Sequence, residues 1–360
     1  VTVGGDTAEA FGAYVHIPFC IHRCDYCAFA TWTDRDHLID SYLAALRLDI
    51  SRAVDVGMPI ASTVFVGGGT PSRVPGAVLA SIVASIPVTA NAEITVECNP
   101  DDITPELLMS YVDGGVNRIS VGVQSMVPHV LKALGRTHDS DNVRAGVDAI
   151  RNEQGLRSFN LDLIYGSVGE SLADWGVTVD AALALGPPHI SAYGLTVEAG
   201  TPLAATPERF PDDDDQANKY ELADERFATA GLETYEISNW AEPGHESQHN
   251  QLYWLQADYR GFGCAAHSHR AGRRWWNLRT PERYIEAIER GESVEAAGET
   301  LDAETRRVEG LQLRVRTRDG VPVEALDVEA LPGLVEVHGD RVVLTRTGRL
   351  LANEVSLRLK

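Results

Sequence analysis

The stretch Tyr14-Val15-His16-Ile17-Pro18-Phe19-Cys20-Ile21-His22-Arg23-Cys24-Asp25-Tyr26-Cys27 decides how the rest of the 360-residue chain is read. A short apolar run, the mark of a buried strand, leads into three cysteines separated by three and then two residues. Three thiolates on one loop can bind three irons of a cubic iron-sulfur cluster and leave the fourth iron without a protein ligand. That open iron can chelate the amino and carboxylate groups of a methionine-type ligand, and an electron from the cluster can then cleave the sulfonium of S-adenosylmethionine (SAM). The alternative is a structural zinc site completed by His22 or a more distant histidine. Zinc usually takes its cysteines as two separated pairs, so the spacing favours the cluster.

Working outward, short β-branched runs alternate with helix-like periodicity. Strands are expected near residues 14–17, 63–66, 94–97, 118–122, 159–164 and 189–193, and helices over 36–55, 76–85, 104–114, 140–153 and 171–185, several opening on Ser, Thr or Asp. Strands that alternate with helices imply parallel pairing through right-handed crossovers. Six such units form an α/β fold, a partial (β/α)6 TIM-like barrel open on one side, with chemistry at the C-terminal ends of its strands. The cysteines, the glycines at 67–69, Glu97, Gln124 and Asp162 all fall at or just beyond an expected strand end. Past residue 205 the rhythm changes to a helix over 216–230, an apolar segment at 234–238 and a loop rich in His, Gly, Asn and aromatics over 239–276. Helices over 281–290 and 303–317, a hairpin of 335–337 and 342–344 turning at Gly339-Asp340, and a helix from Thr347 complete a winged-helix-like pattern. The expected division is a barrel domain of residues 1–240 and a smaller C-terminal domain of residues 241–360.

Composition narrows the class of function. With 52 acidic against 31 basic residues the net charge is −21, which repels phosphate backbones and anionic lipid, so nucleic acid is excluded as a partner. The winged-helix-like segment has no dense basic stripe, which favours a lid or docking role over DNA binding. No apolar run approaches the ~20 residues that span a bilayer, and Cys98 and Cys264 are isolated, so no disulfide framework is expected. A soluble, cytoplasmic protein in a reducing compartment is the expectation. The Asp212–Asp215 run reads as a solvated linker or helix start.

The cysteine loop resembles the signature of radical SAM enzymes. Within that superfamily, His16-Ile17-Pro18-Phe19-Cys20 resembles the branch that holds oxygen-independent coproporphyrinogen III oxidases and HemW-type haem chaperones. The likeness continues in order through Gly67-Gly68-Gly69-Thr70-Pro71-Ser72, Glu97 with Asn99-Pro100, Arg118 to Ser125, Asp162 to Gly166 and His189 to Thr201, most of the chain. It implies that Cys20, Cys24 and Cys27 hold a 4Fe-4S cluster. It also implies that Gly68, Gly69 and Thr70 meet the amino group of SAM, that Glu97 accepts from its ribose, and that Tyr14, Tyr26, Gln124, Arg136 and Asp162 complete the site. Taken singly, Glu97 reads equally as a solvated strand-end carboxylate, Arg136 as a surface ion-pair partner, and the two tyrosines as barrel-end aromatics.

His249-Asn250-Gln251-Leu252-Tyr253-Trp254 resembles the His-Asn-x-x-Tyr-Trp motif that the chaperones tie to haem binding. An imidazole is a common axial ligand of haem iron, and Tyr253 and Trp254 offer flat faces to a porphyrin. His245, His267 and His269 lie near enough in sequence to substitute for His249, and a histidine capping a loop above two core aromatics is the plain alternative. Two features separate the neighbouring families. The coproporphyrinogen enzyme carries a fourth cysteine where this chain has Phe29, and a longer segment ahead of its cluster than the 19 residues here. Ala28 and Val168 depart from the chaperone pattern without removing a ligand. The resemblance therefore implies a haem chaperone on a radical SAM scaffold, with haem as cargo, bacterioferritin as a donor and membrane haem enzymes as acceptors. The alternatives are a coproporphyrinogen III dehydrogenase and a radical SAM methyltransferase.

Overall fold

A computed structural model describes residues 10–360. The beginning of the segment ahead of the cysteines, on which the length comparison rests, lies outside them. Six parallel strands follow the expected order: β1 (Phe11–Ile17), β2 (Ala61–Gly68), β3 (Val88–Cys98), β4 (Arg118–Gln124), β5 (Ser158–Tyr165) and β6 (His189–Gly194). Between them run α1 (Ile39–Asp55), α2 (Gly76–Val83), α3 (Pro105–Asp113), α4 (Pro128–Ala133), α5 (Ser140–Asn152) and α6 (Leu172–Ala184). Local chemistry sets where these helices begin. The Thr104 hydroxyl accepts from the Leu107 amide ahead of Pro105, and Asp139 with Asn142 and Ser171 with Asp174 form reciprocal capping boxes.

The period-two alternation of the strands sorts the residues onto two faces. Ala13, Val15, Ile17, Val64, Val66, Ile94, Val96, Ile119, Val121, Leu161 and Leu163 are buried in the apolar core. On the other face, register aligns Tyr14 with Phe65, His16 with Gly67, Glu97 with Ser120, Gly122 with Asp162, and Asn160 with His189, so the lumen is lined mainly by polar groups.

The chain past residue 205 corrects the expectations in two places. After α7 (Asp213–Thr229), capped by the Asp212 carboxylate, come β7 (Glu233–Glu236), β8 (Asn239–Ala241), α8 (Gln248–Trp254), β9 (Asp258–Phe262), β10 (His267–Arg270), β11 (Arg273–Asn277), α9 (Pro281–Arg290) and β12 (Glu295–Thr300). The span 239–276 is therefore ordered structure and not a loop. Its β9 pairs in parallel with β1, and one open sheet runs β12-β11-β10-β9-β1-β2-β3-β4-β5-β6-β8-β7. The division expected at 240/241 consequently cuts through a continuous sheet, whose core cluster extends from Phe11 to Val294. A second core begins at Val315, under α10 (Ala303–Arg314), the small sheet of β13 (Val321–Pro322), β14 (Val335–His338) and β15 (Arg341–Leu344), and the short helices α11 (Arg346–Leu350) and α12 (Ala352–Ser356). The β14–β15 hairpin turns at Gly339, as expected, with a left-handed φ of 65°. Among the described residues no helix is long and apolar enough to cross a membrane.

Helix α8 packs against β1 and β2. Gly12 makes room for it: a Cβ there would stand 2.7 Å from Leu252 Cδ1 and 3.2 Å from His249 Cε1. Gly12→Val should therefore overpack this seam and cost about 1–3 kcal/mol, read as a lowered urea midpoint. A midpoint equal to wild type would show that α8 is not seated on β1.

Candidate functional site

The cysteine loop leaves the top of β1 and is tied back on itself. The Cys20 amide donates to Trp32 O at 3.0 Å, and the Trp32 amide to Pro18 O at 2.8 Å. His16 secures it from below. Burial lowers the His16 pKa to about 4, so the ring is neutral. Its Nε2–H donates to Ala30 O at 2.9 Å, which leaves Nδ1 to accept from the Tyr14 hydroxyl at 3.1 Å. The end of β2 approaches the loop where only glycine fits. A Cβ on Gly69 would lie 2.9 Å from Cys20 Sγ and 2.8 Å from Phe19 O. Thr70 donates through its hydroxyl to Cys20 Sγ at 3.7 Å, and Arg136 through Nη1 to Cys24 Sγ at 3.6 Å.

These residues fit an iron-sulfur cluster. The Thr31 hydroxyl, beside Cys20 and Cys27, is buried without a hydrogen-bond partner. Burial pushes the Cys20 and Cys27 thiols up, so metal binding here displaces protons. No three His, Cys, Asp or Glu side chains among the described residues converge on a single-ion site; a cube spreads its thiolates over its corners. His22, the local ligand of the zinc alternative, is exposed, as is Phe29.

The residues expected to meet SAM gather at the same strand ends. The Gly68 amide, in a backbone with φ of 116°, donates to Glu97 Oε2 at 3.2 Å. Desolvation, and then the Asp162 charge, push Glu97 up to about 8. Asp162 is also raised by burial, although Ser120 Oγ at 2.7 Å and Asn160 Nδ2 at 2.8 Å donate to it. Gln124 ends β4 in a left-handed conformation, φ 64°, and folds back over Gly122. Arg136 spans the site, donating to Asn99 Oδ1 at 2.6 Å and Gly122 O at 3.0 Å as well as to Cys24, so it is no surface ion-pair partner. Tyr14 lies in the lumen stacked on Phe65, with ring centroids 6.4 Å apart. Tyr26 lies beside Cys24 and Arg136 and also packs against an apolar group that includes Val130, Leu134 and Leu203.

The His-Asn-x-x-Tyr-Trp helix continues this column of rings. His249 is 1% exposed and stacks on Phe65 at 5.4 Å. Its Nδ1 meets Thr63 Oγ1 at 2.7 Å and its Nε2 meets the Tyr253 hydroxyl at 2.8 Å. Desolvation lowers its pKa to about 3. Both ring nitrogens are thus engaged, and iron ligation by His249 requires breaking one of these bonds. Tyr253 and Trp254, by contrast, line a cavity of about 600 Å³ together with Tyr193, Asn250, Leu313 and Leu350. None of the substitute histidines lines it. His245 bonds Ser158 at the opposite end of β5, His267 stacks on Trp276, and His269 bonds Ala257 O.

Residues 14–182 match the Radical SAM superfamily, the class that the cysteine loop and open barrel define, and that class implies a 4Fe-4S cluster and SAM. The chain is 40% identical to the heme chaperone HemW of Mycobacterium tuberculosis over 96% of this chain and 94% of that protein. It is 33% identical to the heme chaperone HemW of Bacillus subtilis over 95% and 97%. The chain belongs to the HemW family. In fold it matches the solved coproporphyrinogen III oxidase HemN of Escherichia coli, with a TM-score of 0.84 over 97% of this chain and 89% of that one, at 22% identity.

Sequence reading missed Phe65 and Thr63, which seat His249, and the cavity residues Tyr193, Arg316 and Arg349. Nothing in their local pattern marks them, because they meet the motif only through tertiary contacts. Glu97 offers a test of the lumen's electrostatics. Folded, it holds its proton up to about pH 8; unfolded, only to about 4.5, so the native state binds the extra proton in that window and loses stability as pH rises through it. In ligand-free protein the Tm of Glu97→Gln minus that of wild type should therefore grow from below pH 4.5 to above pH 8. A difference that stays flat would refute the raised pKa.

Proposed function

We propose that this chain binds haem and hands it to haem proteins, on a radical SAM scaffold. Kinship with the HemW chaperones supports this reading, and one observation carries it: two rings of the His-Asn-x-x-Tyr-Trp helix line the 600 Å³ cavity. That volume falls within the range of about 300–1,000 Å³ usual for small-molecule pockets. Cys20, Cys24 and Cys27 hold the 4Fe-4S cluster, with Thr70 and Arg136 donating to the sulfurs of Cys20 and Cys24 and the unpartnered Thr31 hydroxyl left for the cluster. Gly68, Gly69, Thr70, Glu97, Gln124, Arg136, Asp162 and Tyr14 receive SAM at the strand ends, and Tyr26 buttresses the loop. The bound cluster supplies an electron and an open coordination site on iron.

At the haem, Tyr253 and Trp254 make the contact. His249 is a positioning residue that orients the Tyr253 hydroxyl through its Nε2. On the full chain, reconstituted anaerobically with iron and sulfide, haem should bind saturably at about one per chain. Trp254→Ala and Tyr253→Phe should weaken binding, Tyr253→Phe with an altered Soret band. Cys20→Ala should lose the cluster spectrum while Cys98→Ala keeps it, and coproporphyrinogen III should not be consumed. Absence of saturable haem binding, or catalytic formation of protoporphyrinogen IX, would overturn the chaperone reading.

A further inference from the structure

The cavity beside Tyr253 and Trp254 carries an uneven set of charges. Its charged lining residues are Glu236, Arg316 and Arg349. Arg349 already has an ion-pair partner: its Nη2 lies 2.9 Å from Asp224 Oδ2, a carboxylate it shares with Arg346, and its Nε donates to the Tyr220 hydroxyl at 2.8 Å. Glu236 is buried, accepts from the Asn239 side chain and from the Ser238 amide at 3.2 Å, and is pushed up to about 7 by desolvation. Its negative charge is therefore partial at neutral pH. Arg316 differs from both. Its Nη1 donates to the Gln312 carbonyl and its Nη2 to Asn353 Oδ1 at 2.8 Å, both neutral acceptors. No carboxylate among the described residues lies within ion-pair distance of it.

A half-buried guanidinium held in place by neutral groups, in a chain with a net charge of −21, is an unusual placement. Desolvation disfavours its charge, and water-facing carboxylates were available in excess to pair it. Its planar fork is preorganised for bidentate contact with a carboxylate, and its two neutral anchors fix its direction. Beside the neutral polar groups of Ser238, Asn239, Asn250 and Asn353, the wall presents the apolar and aromatic faces of Tyr253, Trp254, Leu313 and Leu350. A ligand that satisfies both parts has a flat apolar body and a carboxylate at its edge.

We infer that Arg316 is the carboxylate-recognition residue of this cavity and receives a propionate of haem. The assignment rests on the haem reading above and adds the edge of the porphyrin that is recognised and the side chain that recognises it. The pair forms without covalent change; the guanidinium keeps its two neutral anchors and exchanges water for a charged partner.

The test titrates the reconstituted full chain with ferric haem and with its dimethyl ester, in wild type, Arg316→Ala and Arg316→Lys, following the Soret band. One charge-assisted contact corresponds to about a 10- to 100-fold change in Kd. Wild type should therefore bind haem more tightly than the ester by about that factor. Arg316→Ala should lose the preference by weakening haem alone, and Arg316→Lys, which keeps the charge but not the fork, should fall between. Binding of the ester by the alanine variant at wild-type strength shows that its cavity is intact. An ester that binds wild type as tightly as haem, or an alanine variant that keeps the preference, overturns the inference while leaving haem binding in place. Failure of wild type to bind either porphyrin overturns the haem reading itself.

Discussion

The structure depends on how the polar lumen of an open barrel is satisfied. Alternation in six parallel strands sends the apolar side chains outward under the helices, and Thr63, Glu93, Arg118, Ser120, Asn160, Asp162 and His189 inward. Each such group buried without a partner costs roughly 1–3 kcal/mol. The lower half of the lumen resolves this through its own network. Arg118 lies 3.9 Å from Glu93 and donates to Ser158 at 3.2 Å, and His189 joins Asn160 to the Tyr235 hydroxyl at 2.7 Å. Helix α8 adds two further bonds, its His249 amide donating to Glu93 Oε1 at 3.2 Å and its imidazole bonding Thr63, while the buried Thr95 hydroxyl is left without a partner.

The upper half is left differently. Glu97 and Asp162 share the space above the network, and among the described residues no arginine or lysine lies within ion-pair distance of either. Both are raised because their charges are desolvated, Glu97 further because Asp162 repels it. A lumen closed below, with two desolvated carboxylates above that have no ion-pair partner among the described residues, favours a cationic, hydrogen-bonding ligand at the strand ends, next to the cysteine loop. The column Tyr14–Phe65–His249–Tyr253 runs between the two regions, each ring within 6.4 Å of the next. The loop chemistry and the cavity are thus parts of one packed interior.

Much of this was legible in the sequence because it is local. A strand's period, a cap, a glycine-rich turn and a cysteine triplet are all written within a few residues, and the strand-end rule then gathers Gly68, Glu97, Gln124 and Asp162. The stretch 239–276 was not legible. Its strands, three to five residues long, carry His, Arg, Gly and Trp rather than alternating β-branched residues, and two of them, β10 and β11, pair antiparallel. The return of β9 to β1 brings residues 247 positions apart into register, as with Tyr14 and Gly261, and no local pattern encodes that. For the same reason sequence alone places the motif helix in a separate domain, although it packs against β1 and β2.

The placement of His249 gives the spacing of its motif a physical meaning. Residues i and i+4 share one face of a helix, so His249 can present Nε2 to the Tyr253 hydroxyl while Nδ1 reaches Thr63 on β2. Burial holds the ring neutral at physiological pH, and a neutral imidazole offers one donor and one acceptor. Protonation would convert the acceptor into a second donor and bring an uncompensated charge into the core, which the pKa of about 3 opposes. A side chain so fixed serves better as an anchor than as a free ligand. Tyr253 and Trp254 face the cavity while His249 does not line it, so His249 acts there by deciding where the Tyr253 oxygen points.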